Sequence, residues 1–524
     1  MTLQLHELIV KEAILTELAG CTKQEVLTEL IEALKNAGRL TRSDIVLQDL
    51  LARERKGTTG IGQAVAIPHT CSSAVHQPMI AFGRSRTGIG LQAINGKPVN
   101  LIFLILGRIN GESLQLKILA RLGHILSMPG IIRTLNKLES PEEILNFLKA
   151  REESLGEIEM PEGMPSVCVV GAGNGGLAMA GHLALIGCRV KLFNRSEERL
   201  SAIKLSGGIQ VTGAVNGFAR LNLVTTNLGE ALSDVELVMV VIPATGHREV
   251  ARMLGSHLTD GQVVVLNPGR TGGALEFDEV FRQLKVPNYY FLAEAETLIY
   301  ACRITNPGQV RIFGIKNTVP VATLPAYHIT DVLVAFKKVL PQFIPGDNVL
   351  KTSLSNIGAV FHPALTVLNV AWIEQRKGIF EYYHEGASLS VAKVLEHLDA
   401  ERVKVAEALG IRVLSAREWL YQAYGVAGDN LYEAMQANKG YRGIKAPNTI
   451  NHRYVTEDVP TSLVPIASLG DQFSVPVPTI QAIIHLASIL HNRNYMAEGR
   501  TVEKLGLAGL TVRQIRRLVE EGRK

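Results

Sequence analysis

Apolar residues along this chain are spaced in three different ways. Over residues 165–346, strand-like runs at 167–170, 189–193, 235–242 and 262–266 alternate with stretches of helical spacing, of which 177–186, closed by Gly187, is the clearest. Apolar runs of this kind suit strands covered on both faces of a parallel sheet. Ahead of residue 150 the pattern is mixed, helical over 23–37, 113–127 and 141–148 and strand-like over 64–67, 79–83 and 99–106. Beyond residue 346 helical spacing continues to the end, as expected of a separate α-helical unit. The segment 150–165, AREESLGEIEMPEGMP, carries charge, Pro and Gly in place of buried positions and reads as a linker. The pattern divides the chain into 1–150, a linker at 151–164, an α/β unit at 165–346 and an all-α unit at 347–524, with no internal repeat.

Composition narrows the possibilities. At 524 residues the chain is too long for one core, and with 47% apolar residues it has enough to fill about three. The net charge of +5 is spread without a dense basic block, apart from a short 513–524 segment that reads as a solvated helix. That balance argues against a nucleic-acid partner and suits small anions, phosphates and carboxylates. Five cysteines (21, 71, 168, 188 and 302) have no paired spacing, and read as reduced core thiols without a metal site. Glu7, Lys11 and Glu12 break the start of the chain as a signal peptide, and no apolar run approaches the ~18 residues of a membrane span. A cytoplasmic protein with no membrane contact is expected.

The strand-like run 167–170 leads directly into Gly171-Ala-Gly173-Asn174-Gly-Gly176 and then into a helix. A tight glycine turn at that junction lets backbone N–H groups approach a dinucleotide pyrophosphate at the helix N-terminus. The second strand closes with Asn194-Arg195-Ser196 where an acidic residue usually holds a free ribose hydroxyl, so NADP(H) is preferred and NAD(H) stays open. An N-cap serine beside a solvated arginine is the alternative reading of the same residues. Pro243, Ala244, Thr245 and Asn267, at the carboxyl ends of the next strands, are candidate nicotinamide-side contacts or ordinary loop residues.

In the first unit, Arg53-Glu54, Gly57-Thr-Thr-Gly-Ile-Gly62 and Ala64-Val-Ala-Ile-Pro-His69 place a histidine directly after a strand and a proline. Such a histidine is expected to be held in place and exposed to solvent, as a phosphoryl acceptor or as a structural loop residue. These residues, with Gly88-Ile-Gly90, Asn95-Gly96-x-Pro-Val99 and Leu116-Lys-Ile-Leu-Ala120, resemble the IIA domain of the bacterial sugar phosphotransferase system, mannitol/fructose type. The resemblance implies a mixed α/β domain whose His69 is phosphorylated by the phosphocarrier protein HPr. Gln115 stands where that family commonly has a second histidine, and the chain carries no sugar permease, which favours a phosphorylation-controlled regulator over a transport intermediate.

The helical unit contains Ser355-Asn356-Ile-Gly-Ala-Val-Phe-His362-Pro363. His362 is either a packed core residue or a proton donor for hydride chemistry, the latter needing a carboxylate partner. Among Glu374, Glu381, Asp399, Glu401, Glu457 and Asp458, the last is favoured because it sits at a proline-marked turn. The glycine loop, Tyr300-Ala-Cys-Arg303, N-x5-HP, Phe380-Glu-Tyr-Tyr-x-Glu-Gly386, Leu398-Asp-x-Glu-Arg402, EDVP and Gly499-Arg-Thr-x-Glu-Lys-Leu-Gly506 resemble the NAD(P)-dependent octopine/nopaline (opine) dehydrogenases over 165–515. The resemblance implies a Rossmann domain followed by a helical domain, with His362 and Asp458 as the catalytic pair in the cleft between them. It also implies the chemistry, in which an amino acid condenses with a 2-oxo acid such as pyruvate and the imine is reduced to a secondary amine. Asn356 is a candidate for positioning substrate, and Arg303 either holds its carboxylate or is a surface or structural arginine. Tyr382, Tyr383, Trp419 and Tyr424 line the pocket or pack the core. A homodimer is expected. Two other readings stay open: a 2-oxo acid or ketone reductase without an amine partner, and a non-catalytic sensor of NADPH and His69 phosphorylation.

Overall fold

The computed structural model describes residues 2–55, 59–62, 64–90, 98–109, 111–153, 158–159 and 164–522. At its centre is an eight-stranded sheet in the order Leu223–Thr225, Arg189–Phe193, Ser166–Val170, Leu237–Val240, Val263–Leu266, Phe291–Ala295, Val319–Leu324, Phe343–Pro345. All neighbours are parallel except Phe291–Ala295 with Val319–Leu324. From Ser166–Val170 the chain crosses to one side and later returns on the other, so the order reverses beside Gly171, where such folds bind ligands.

The strands alternate between two cores. Val167, Val169, Leu237, Met239, Val263 and Val265 face one, and Cys168, Val170, Val238, Val240, Val264 and Leu266 face the other. Period-two alternation with both faces buried is why these runs are apolar throughout. The second core is shared with the helical unit, including Phe361, Leu365, Leu395 and Val459. The first is shared with the N-terminal unit, through residues such as Leu116, Leu119 and Leu122. A separate four-stranded sheet, Gly217–Arg220, Gly208–Gly213, Gln309–Ile315, Tyr300–Asn306, was not evident in the sequence, because its outer strand is half polar and solvent-facing.

The N-terminal unit is a mixed sheet in the order Ile9–Leu15, Met79–Ile89, Val99–Arg108, Val65–Ala66, Gly60–Gly62, with His69–Ser72 also paired to Val99–Arg108. Helices Lys23–Asn36, Ser43–Glu54 and Glu112–Ser127 cover it. The strand Ile9–Leu15 and the helix Ser43–Glu54 are additions to the elements expected from the sequence. Gly57, Thr58 and Asn95-Gly96 of the quoted motifs lie outside the described residues. The helix expected to end at 148 runs on as Pro141–Glu152, and Glu152 is buried, where its carboxylate accepts hydrogen bonds from the backbone N–H groups of Leu5 and His6. After Phe343–Pro345 the described residues form helices, the longest being Leu389–Ala408, with one isolated bridge between Glu381 and Lys445. No single described helix is long and apolar enough to cross a membrane.

Candidate active site

Each glycine of the 171–176 loop answers a different local demand. Gly171 has φ of +117°, and a Cβ there would stand 2.4 Å from the Val241 carbonyl oxygen. A Cβ on Gly176 would fall 1.8 Å from the Gly171 oxygen, so the helix Asn174–Leu185 can start tightly only with glycine. Gly173 faces open space, leaving its backbone clear for a ligand at the helix N-terminus. This helix starts three residues before the apolar spacing suggests, because Gly173 serves as its N-cap. Nearby, at the carboxyl end of Val263–Leu266, Asn267 Oδ1 is a buried acceptor without a partner. Open backbone donors, a helix N-terminus and an unused buried acceptor fit a dinucleotide at the switch point.

The flanking residues are tied in. Asn194 Oδ1 accepts from Ala172 N–H at 3.2 Å, and its amide donates to the Ser196 carbonyl at 3.0 Å. Arg195 is exposed and ion-paired with Glu249. Asn174 is occupied by accepting the Ile304 N–H at 2.8 Å. Pro243 and Thr245 are exposed at the short 3-10 turn Ala244–Gly246, and the Ala244 N–H donates to Glu457 Oε1 at 3.2 Å, joining the nucleotide loop to the helical unit.

His362 lies on the helix Gly358–Leu368, and Asp458, expected at a turn, is helical at φ of −71° between Arg453–Thr456 and Val459–Leu463. The two meet across 96 residues, His362 Nδ1 donating to Asp458 Oδ2 at 2.8 Å. Nε2 is 3.2 Å from the Tyr383 hydroxyl, and the ring stacks on Tyr454 at 4.1 Å between centroids. Tyr382 holds the other side, donating to the His362 carbonyl at 2.8 Å. Tyr383 therefore lines the site, whereas Trp419 and Tyr424 pack with Phe361 and Tyr441 in an aromatic cluster behind it.

Asp458 is fully buried. Burial works against its charge, but the Arg270 guanidinium, the His362 hydrogen bond and charge, and Arg453 together hold its carboxyl below the usual carboxylate range. Arg270 Nη1 is 3.2 Å from Asp458 Oδ1 and its Nε is 3.5 Å from Glu457 Oε1. The sequence did not reveal this arginine, whose partners lie nearly two hundred residues away. Its one local signal is the Asn267-Pro-Gly turn before it, which leaves Arg270 itself at φ of +59°. Arg453, half-exposed, pairs with Glu457 at 3.0 Å. Arg500 locks the same corner, donating to Ala244, Gly269 and Thr271 carbonyls and pairing with Glu276 at 2.7 Å. The Gly499-Arg motif thus secures the cleft from behind.

The two substrate candidates stand in different surroundings. Asn356 is close to the pair, but its amide N–H is already given to Ser462 at 2.9 Å, leaving its oxygen for any ligand. Arg303 is exposed on Tyr300–Asn306, between Cys302 and Ile304, which both bond to Asn174. Its strand sits against the glycine-loop helix, and among the described residues it pairs with no carboxylate. The arginines beside Asp458 are Arg270 and Arg453.

His69 is also placed differently from expectation. It is 5% exposed, covered by the helix Ile329–Phe336 of the central unit. Its Nε2 lies 2.6 Å from Asp331 Oδ1 and its Nδ1 donates to the Ile67 carbonyl at 2.7 Å. Arg53 donates to the same Asp331 oxygen at 2.9 Å. Gln115 is adjacent, accepting from Cys71 Sγ at 3.3 Å. Among the described residues no cluster of three His, Cys, Asp or Glu could hold a metal ion.

Residues 7–151 match the family described as phosphoenolpyruvate-dependent sugar phosphotransferase system, EIIA 2. Residues 166–269 match NAD-dependent glycerol-3-phosphate dehydrogenase N-terminus, and 345–491 match NAD/NADP octopine/nopaline dehydrogenase, alpha-helical domain. An opine dehydrogenase of Arthrobacter sp. (strain 1C) is 41% identical over 353 residues, spanning 67% of this chain and 98% of the relative. A fructose-specific EIIA component of Haloferax volcanii is 35% identical over 137 residues, spanning 26% of this chain and 89% of the relative. The structure of octopine dehydrogenase with NADH and L-arginine shares the fold, with a TM-score of 0.58, 20% identity and coverage of 69% of this chain and 99% of that one. The chain belongs to the opine dehydrogenase family, NAD(P)-dependent oxidoreductases acting on CH–NH donors, and carries a phosphotransferase EIIA domain fused ahead of the dehydrogenase unit.

Proposed function

We propose that the cleft carries out reductive condensation of an amino acid with a 2-oxo acid of pyruvate type, with His362 as acid–base residue and Asp458 as its partner. The observation that carries this reading is the 2.8 Å His362–Asp458 contact, backed by Arg270 on the far oxygen. When bound at the glycine loop, NAD(P)H supplies the hydride. The protein's own groups handle charge and protons. Asp458, held ionised, keeps the proton on Nδ1 and stabilises the imidazolium, so that Nε2 faces the cleft beside Tyr383. From there His362 delivers a proton to the substrate oxygen that leaves as water, and in the reverse direction removes one from the attacking water. Burial raises the Tyr383 phenol far above its ordinary value, which keeps it a neutral hydrogen-bonding neighbour. Arg453, with one side open, offers a fork for a substrate carboxylate.

Asn194, Arg195 and Ser196 support NADP(H) as the preferred cofactor, the exposed guanidinium being able to exchange Glu249 for a 2′-phosphate. His69 of the EIIA domain is read as a phosphoryl acceptor served by HPr, and the domain as a regulator of the dehydrogenase. The test is oxidation of NADPH and NADH by the purified protein with 2-oxo acids, pyruvate first, each with and without a panel of amino acids. Oxidation that needs both partners establishes the condensation and identifies the amine. Equal oxidation by a 2-oxo acid alone would replace this reading with that of a simple reductase.

A further inference from the structure

The contact between His69 and Asp331 joins two units 262 residues apart in sequence, and both side chains are more than nine-tenths buried. Each ring nitrogen of His69 faces an oxygen, the Ile67 carbonyl at Nδ1 and the Asp331 carboxylate at Nε2. A ring nitrogen that donates to such an oxygen has no free lone pair with which to attack phosphorus. Asp331 Oδ1, at 2.6 Å, also occupies the space that a phosphorus bonded to Nε2 would need. Arg53, 2.9 Å from Asp331 and 3.2 Å from Nε2, completes a triad shared by the two units. His328 stands 4.0 Å from the other Asp331 oxygen and is itself fixed by Tyr289 at 3.0 Å. Burial works against the charge on Asp331, yet His69, His328 and Arg53 together hold its carboxyl well below the usual range.

The surroundings leave room to open. A cavity of about 270 Å³ lies beside the triad, lined by Arg53, His69, Cys71, Gln115 and Asp331 among others. Gln115 Nε2 is buried there without a partner. The helix bearing Asp331 has an exposed side, with Val334 facing solvent.

We propose that the dehydrogenase unit of the same chain is the docking partner of the His69 face of the EIIA domain, with Asp331 standing in the place of the phosphoryl group, so that docking and phosphorylation exclude each other. This rests on the reading of His69 as a phosphoryl acceptor. In the transfer, Nε2 must first give its proton to Asp331 or water. Its lone pair then forms the N–P bond as the donor's N–P bond breaks, and that electron pair returns to the donor nitrogen, which takes up a proton. The product places a phosphoryl dianion where the carboxylate was, and like charges in a buried site drive the helix Ile329–Phe336 away. By linkage, whatever favours the docked form disfavours phosphorylation at equilibrium to the same extent that phosphorylation disfavours docking.

The experiment uses the full-length chain with two donors, phosphoramidate and phosphorylated HPr, and follows acid-labile phosphate on wild type, Asp331→Asn, Asp331→Ala and His69→Ala. Both Asp331 variants are expected to be phosphorylated at least about tenfold faster than wild type, and His69→Ala not at all. Equal rates in wild type and the Asp331 variants would overturn the proposal. A second arm needs no phosphate. His69→Glu sets two acids face to face and is expected to lower amide-exchange protection over 329–336 and 112–127 at least about tenfold, with protection restored in His69→Glu/Asp331→Lys. Unchanged protection in His69→Glu would overturn the docking claim itself. Absence of transfer to any chain bearing His69 would also overturn the proposal, by removing the acceptor role on which it rests; loss of protection in His69→Glu would then mark the contact as structural.

Discussion

Replacing Asp458 by asparagine tests the catalytic assignment with the smallest change of shape. The carboxylate accepts from His362 Nδ1 at 2.8 Å on one oxygen and is ion-paired, without a hydrogen bond, with Arg270 Nη1 at 3.2 Å on the other. An amide has a single acceptor for them. If its oxygen faces His362, its N–H₂ group opposes the guanidinium in a fully buried site, leaving donors unpaired at a cost of about 1–3 kcal/mol. If its oxygen faces Arg270, the N–H₂ group donates to Nδ1 and the imidazole proton moves to Nε2. The cationic Arg270 favours the second arrangement. The ring is then a neutral imidazole without a counter-charge, a much weaker acid toward the substrate. The loss should approach the whole acid–base contribution, about 100- to 10,000-fold in kcat. Steady-state rates in both directions, with cofactor affinity from nucleotide fluorescence, are the assay. A kcat within about tenfold of wild type, or a loss explained by weaker cofactor binding, would refute the reasoning.

Other outcomes follow from the same geometry. Gly176→Ala, whose Cβ would fall 1.8 Å from the Gly171 oxygen, should abolish NADPH binding in a fluorescence titration, and a wild-type Kd would show the loop is not the site. Arg195→Glu, facing Glu249, should cut kcat/KM for NADPH about tenfold or more while sparing NADH, and an equal change for both would remove the phosphate role. Burial first, then the charges of Arg500 and Arg270, hold the His247 imidazole well below its ordinary value, and burial lowers that of His328 despite Asp331. Unfolded, both take up a proton near pH ~6.5, and folded they do so only at lower pH, so stability should fall below that pH, by at most about 1.4 kcal/mol per pH unit for each group. Urea midpoints between pH 7.5 and 5.5 measure this, and a flat profile, or an unaltered slope in His247→Gln, would contradict it.

The features legible in the sequence are those whose causes are local. The glycines at 171 and 176 are dictated by backbone approaches within a few residues and Val241, and the apolar runs by burial on both faces of one sheet. Asp458 was picked out from five other carboxylates by a proline-marked turn, yet its backbone is helical, between Arg453–Thr456 and Val459–Leu463. Arg270 was not visible, since nothing near it in sequence shows that it meets Glu457 and Asp458 across the cleft. His69 looked exposed for the same reason, its cover being a helix from another unit. Strand Ile9–Leu15 was hidden because its pairing is irregular between Ile9 and Ile14, which gives a two-in, two-out burial pattern in place of simple alternation.

The alternating strands of the central sheet have a consequence for traffic around the molecule. His362 belongs to the helices over one face, and the helix covering His69 packs on the other, with Val332 and Phe336 in the opposite core. The sheet acts as a partition. The His362–Asp458 pair and the His69–Asp331 contact therefore lie on opposite sides of it. The two sides also meet at the sheet edge, where the helix Val512–Glu521 of the helical unit packs on the turn Ala326–His328 that leads into the helix covering His69.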